Sequence, residues 1–120
     1  MLDPQRWWVE REIMRGRFPW ISPFETANGY VGFFGHLRGP QSGRLYEVLL
    51  KIPARLYPET EPPLYLDPHL GNNWRVDAVN HDPRGRLCYD RTGQGKWNAA
   101  RSTFANCIGV ALDYLADKGA

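Results

Sequence analysis

A single α+β domain is what the sequence predicts, and three observations predict it. Between positions 45 and 52, Tyr46, Val48, Leu50 and Ile52 alternate with Leu45, Glu47, Leu49 and Lys51, the period of two of a strand with one wholly apolar face. Asp3-Pro4 sets a capping aspartate before a proline, a helix start. Near the other end, Phe104, Cys107, Ile108, Ala111 and Leu115 recur at helical spacing behind Ser102 or Thr103, either of which can cap. With 120 residues, 42% of them hydrophobic and 23% charged, one such domain can bury a core and stay in solution.

Taken in order, the first helix runs from Asp3-Pro4 to about Arg15, with Gly16 as its stop, and Trp7, Met14 and Phe18 fall on its core side. Residues 19–29, with two prolines, Asn28 and Gly29, predict a loop. Tyr30 to Leu37 is aromatic and β-prone, 38–43 is a turn, and the alternating run after it completes an antiparallel hairpin. A proline-rich bend follows over 53–63, then a short strand Leu64-Tyr65-Leu66, a loop, and a further strand from Trp74 to Val79. Asp82-Pro83-Arg84-Gly85 has the preferences of a type I turn. A hairpin closed there would put His81 opposite Arg86, Asn80 opposite Leu87 and Val79 opposite Cys88, with His81 one diagonal step from Cys88. The last helix ends at Gly119, and there is no internal repeat.

The net charge of +2, from 15 basic and 13 acidic residues, is too balanced to argue for nucleic acid. The arginines near the N-terminus (Arg6, Arg11, Arg15, Arg17) form either a solvated helix face or a docking face for an acidic protein. No apolar run reaches the length of a membrane span, and Met-Leu-Asp-Pro lacks the regions of a secretory signal, so a cytoplasmic protein is expected. Two cysteines make no disulfide framework: Cys88 lies among polar turn residues and Cys107 in an apolar helical stripe. Paired zinc-ligand spacings are absent, and so are phosphate loops; Gly93-Gln94-Gly95 is too short a hint. A protease dyad of Cys88 with a histidine is disfavoured in a chain with no second lobe. No cofactor or metal is expected.

The most informative segment is Gly85-Arg86-Leu87-Cys88-Tyr89-Asp90, with Trp97 nine residues after the cysteine. It resembles the G-x-[IL]-C-L-D stretch of the ubiquitin-conjugating enzymes, which precedes a tryptophan. Upstream, Tyr30 to Pro40 looks like the W-x-x-x-I-x-G-P region of that family, and Ser42 to Ile52 is similar to its G-x-F-x-[LV]-x-[IV] stretch. Tyr57-Pro58 followed by Pro62-Pro63 resembles its Y-P-x-x-P-P with one extra residue. Trp97-Asn98-Ala99 stands where W-S-P is usual, and Phe104 to Leu115 matches the central helix. The ordered series covers roughly residues 4–116. It implies a UBC-like fold: an N-terminal helix, a four-stranded antiparallel meander, a segment carrying the active-site cysteine, and a central helix. The two C-terminal helices of eukaryotic relatives are expected to be missing, as in divergent bacterial members that occur with activating-enzyme-like partners, often in antiviral defence operons.

The resemblance also implies a chemistry. Cys88 would carry a ubiquitin-like modifier, or another protein C-terminus, as a thioester received from an activating enzyme, and pass it to a target amine. That needs an attackable thiolate, which Arg84, Arg86 and Arg91 nearby in sequence would favour. Attack by the amine needs a donor for the oxyanion, commonly worth about 3 kcal/mol of barrier, and help in removing a proton. The family supplies an asparagine from His-Pro-Asn about ten residues before the cysteine. Here His81-Asp82-Pro83 lies seven residues before Cys88, with no asparagine in that slot. Candidates to replace it are Asn80, His81, or Asn72 and Asn73. Asp90 would orient or desolvate the amine. Arg6 and Arg11 would dock the activating enzyme, Trp97 would pack under the loop, and Pro62 and Pro63 would offer a partner surface. The competing expectation is a non-catalytic binding module of the same fold.

Overall fold

A computed structural model describes residues 2–67, 74–77, 82–87 and 97–120. The elements are α1 (Pro4–Arg17), β1 (Ser22–Glu25), β2 (Tyr30–Arg38), β3 (Leu45–Pro53), β4 (Leu64–Asp67), β5 (Trp74–Asp77), β6 (Asp82–Leu87) and α2 (Phe104–Asp117). This is the α+β order expected, with a helix at each end and an antiparallel sheet between them.

The hairpin of β2 and β3 is the spine. The two strands pair along their whole length, from Tyr30 opposite Pro53 to Arg38 opposite Leu45. Their turn is closed by Gly39 N–H donating to Arg44 O (2.7 Å) and Gly43 N–H to Gly39 O (3.0 Å), with Gly43 at φ +74°. Gly39 also leaves room for Ala120, whose carbonyl accepts from Gln41 N–H at 2.7 Å; a Cβ at Gly39 would lie 2.7 Å from Ala120 C. Alternation did its work: Tyr46, Val48, Leu50 and Ile52 are all buried, against Phe33 and Leu37 of β2 and Leu64 and Leu66 of β4. On the opposite face Leu49 stands opposite Tyr65 in register, and both are buried as well.

The sheet is larger than the expected four-stranded meander. It has six strands in the order β1-β2-β3-β4-β6-β5. Two segments account for the difference. Residues 22–25, expected as loop, form the edge strand β1, with Pro23 opposite Phe33. An edge strand tolerates the missing proline N–H, so Pro23 did not forbid it. Residues 82–85, expected as a type I turn, belong instead to β6, whose Leu87 pairs with both Leu64 of β4 and Trp74 of β5. Proline and glycine dominated the local reading, but two partner strands overrode it. The observed pairing of Trp74 with Leu87 and Val76 with Gly85 is not the one that would set Val79 opposite Cys88, so the diagonal placement of His81 beside Cys88 does not follow.

α1 begins where expected: Asp3 accepts from Gln5 N–H at 3.0 Å and Pro4 opens the helix. It runs past Gly16 to Arg17, and its C-cap is Phe18, which is buried and followed by Pro19. Thr103 rather than Ser102 caps α2, in a reciprocal capping box with Asn106. The helical stripe is buried as expected, Cys107 included at 3% exposure. Trp7 of α1, Phe33 of β2 and Phe104 of α2 meet at ring-centroid distances of 5.0 to 6.0 Å, so both helices share one face of the sheet.

Candidate functional site

Of the residues expected at the site, Cys88, His81, Asn80 and Asp90 lie outside the described residues, as do Asn72 and Asn73. The described residues on either side can be placed. Leu87, which precedes Cys88 in the chain, stands opposite Leu64 of β4. Trp97 donates its indole N–H to Pro58 O at 2.6 Å and packs its ring 5.9 Å from that of Tyr57. Leu64 and Pro58 belong to one stretch of chain, 57–64, which begins with the cis peptide Tyr57–Pro58 and contains Pro62-Pro63. Both flanks of the segment 88–96 are thus fixed on the same proline-rich stretch.

Trp97 is half-buried against Tyr57 and Pro58; the loop it was expected to support lies outside the described residues. Within the proline pair, Pro62 is buried and Pro63 half-buried, so only Pro63 retains surface for a partner. Arg11 is exposed, with its guanidinium over the Trp7 ring at 5.7 Å. His36 is exposed.

Arg6 differs most from its expected docking role, because its guanidinium is turned into the domain. Nε donates to Glu10 Oε2 at 2.9 Å, Nη1 to Ala99 O at 2.8 Å, and Nη2 to Ser102 O at 2.6 Å and to the Tyr57 hydroxyl oxygen at 3.3 Å. Glu10, 0% exposed, is the buried charged side chain among the described residues. Its Oε1 accepts from the N–H of Phe104, first residue of α2, at 3.0 Å, and its Oε2 accepts from the Tyr57 hydroxyl. A carboxylate at the N-terminal end of α2 also meets the positive end of that helix's dipole. Burial works against the Arg6 charge, yet the hydrogen bonds to Glu10 and Tyr57 outweigh it and hold the guanidinium above its ordinary value. Burial first, then the Glu10 carboxylate, pushes the Tyr57 phenol far above its ordinary value, with Arg6 opposing. Tyr57 therefore remains a donor to Glu10.

This knot of Arg6, Glu10 and Tyr57 was missed in the sequence. One signal was available: Glu10 sits with Trp7 and Met14 at i, i+3, i+7 spacing, an acid on the core stripe, with an arginine four residues before it.

The turn after Trp97 is built locally. Asn98 Oδ1 accepts from the N–H groups of Ala100 (2.9 Å) and Arg101 (3.2 Å), and Asn98 N–H donates to Ser102 Oγ. Beside it, Trp97, Glu61, Arg101, Cys107 and Asp113 help to line a cavity of about 530 Å³. Its charged groups carry both signs and single out no ligand class. Among the described residues no group of three His, Cys, Asp or Glu could hold a metal ion. No described helix is long and apolar enough to cross a membrane.

No protein-family model, no curated protein and no solved structure matches this chain.

Proposed function

We propose that this protein is a ubiquitin-like-protein conjugating enzyme of UBC-like fold, with Cys88 as its thioester carrier. The observation that supports it most is the anchoring of both flanks of the cysteine segment on residues 57–64: Leu87 opposite Leu64, and the Trp97 indole on the Pro58 carbonyl. Three separate motifs of the resemblance, Tyr57-Pro58 with Pro62-Pro63, the cysteine stretch and the tryptophan, meet there. Residues 57–64 precede the other two motifs by more than twenty positions, so their meeting is a tertiary contact and not one of sequence neighbours.

In this reading the Cys88 thiolate attacks the thioester carbonyl joining the modifier's C-terminus to an activating enzyme. A new C–S bond forms, the old one breaks, and the activating enzyme's thiolate leaves. A target amine then attacks the Cys88 thioester; the C–N bond forms, the Cys88 thiolate leaves, and the proton lost from nitrogen passes to a base. His81, Asn80 and Asp90 are the candidates for base, oxyanion donor and amine orientation. Neither step calls on a cofactor. Of Arg6 and Arg11, the pair expected to dock the activating enzyme, Arg11 is the exposed one.

One sequence observation favours a second reading, a non-catalytic module of the same fold that binds a ubiquitin-like protein or a partner subunit: no asparagine stands in the His-Pro-Asn slot. Intact-mass spectrometry separates the two. The protein is co-expressed with its neighbouring genes, an activating-type enzyme among them, as wild type and as Cys88→Lys. An adduct removed by reducing agent from wild type, but persisting as an amide on the lysine variant, is expected. No adduct on either would turn the assignment to the binding module. Cys88→Ala should abolish transfer and leave the circular dichroism spectrum and the melting temperature unchanged.

A further inference from the structure

We infer that the groove between α1 and β1 is a docking site for an acidic peptide segment of a partner protein, held by one apolar anchor side chain and by a carboxylate on Arg11. The inference needs neither Cys88 nor a modifier, so it stands or falls separately from the conjugation reading.

The groove encloses a cavity of about 390 Å³. Trp8, Arg11 and Arg15 of α1 line one side, and Pro19 and Pro23 the other. Met14, Ile21 and Phe33, all buried, lie beneath and make the floor apolar. The charges on the rim say which partner fits. Arg15 donates to both carboxylate oxygens of Glu12, so that pair is closed on itself. Arg6 is turned into the domain with Glu10. Arg11 is left: it is exposed, and it makes no ion pair among the described residues. Its guanidinium lies over the Trp7 ring at 5.7 Å. A guanidinium stacked in that way keeps the planar fork of donors at its edge for a carboxylate. The one uncompensated charge of the lining is therefore positive, and its complement is an acid. Beside it, Trp8 is 55% exposed, on the helix whose other indole is buried. Tryptophan next to arginine is the composition that most often carries the energy of an interface. The polar side chains of the lining all belong to the rim, none of them buried. That suits a segment laid across the groove rather than a small molecule fixed within it. β1 is the edge strand, and its Pro23 has no N–H to offer an added strand, so the segment is held through its side chains.

The test selects a random peptide library, displayed on phage, against the whole protein. Trp8→Ala, Arg11→Glu and Arg55→Glu serve as comparators, the last an equal charge change at an exposed arginine outside the groove. Expected are peptides that set aspartate or glutamate beside leucine, isoleucine, methionine or phenylalanine. As synthetic peptides, read by fluorescence anisotropy at low salt, they should bind Trp8→Ala and Arg11→Glu about tenfold or more weakly than wild type, and Arg55→Glu as tightly as wild type. Circular dichroism checks that each variant is folded, and Arg11→Gln carries the charge arm if Arg11→Glu is not. No enrichment, a basic or uncharged consensus, or equal binding to all variants would overturn the inference. A dimer seen by analytical ultracentrifugation and lost in Trp8→Ala would give the groove to a second copy of the chain and overturn it as well. The isolated protein is used throughout, so a failure to form a thioester on co-expression would sink the conjugation reading and leave these outcomes where they are.

Discussion

The two helices have 14 residues each and share one face of the sheet, yet they are held by opposite means. α2 buries seven side chains, all apolar but for the Tyr114 hydroxyl; α1 buries three, and one of them is Glu10. An apolar stripe needs only spacing to work, since any neighbouring hydrophobic surface will accept it. A buried carboxylate needs particular partners, and Glu10 has them: two donors on one oxygen and one on the other. The helix with fewer buried side chains is thus the more narrowly positioned one. Its partners come from Tyr57, the 98–102 turn and the first residue of α2.

The comparison can be broken from either side. The largest effect is expected for Phe104→Ala, which removes the ring facing Trp7, Phe33 and Tyr57 at 6.0, 5.0 and 4.5 Å and should cost about 4 kcal/mol in chemical denaturation. Next comes Glu10→Gln, which strips the charge partner from Arg6 inside the domain. A loss of about 2–3 kcal/mol is expected, below that of a wholly buried pair because the Arg6 side chain keeps 20% exposure. A loss no larger than the ~1 kcal/mol expected for Ile108→Val would mean that α1 is held by its apolar contacts, those of Trp7 and Met14. The caps sharpen the contrast further. Thr103→Ala should cost about 1 kcal/mol, because Thr103 and Asn106 cap reciprocally, and Asp3→Ala nearer ~0.5 kcal/mol at its exposed single bond.

The smallest effect is in pH. Tyr57 is held above its ordinary value in the folded protein, so its contribution is complete below about pH 10 and is lost as pH rises beyond that. Thermal melts at pH 8 and pH 10.5 should show wild type losing more stability than Tyr57→Phe over that interval. Equal losses in both proteins would remove Tyr57 from the knot as a titrating member.

How much of this was legible depended on the kind of interaction. The β2–β3 hairpin and the α2 stripe were readable because periodicity alone encodes a buried face. β1 was hidden by Pro23, and β6 by an aspartate, a proline and a glycine in turn-forming order; what made them strands was pairing with distant residues, which local preference does not contain. The register of β6 was misjudged for the same reason, which removes the register argument for His81 beside Cys88; both residues lie outside the described ones. At the site, Trp97 was foreseen as packing, whereas Arg6 was expected at the surface. A basic residue on the first helix looks like solvent-facing charge until the carbonyls 93 and 96 residues away are known.

The edge strand β1 has one more implication. It is four residues long, and Pro23 within it has no N–H to offer. Exposed strand edges invite like molecules to add to them, and short length, proline and charge each discourage it. Ser22–Glu25, with an exposed proline and an exposed terminal glutamate, carries all three. The residue that concealed the strand in the sequence is also what makes that rim a poor template for aggregation in a crowded cell.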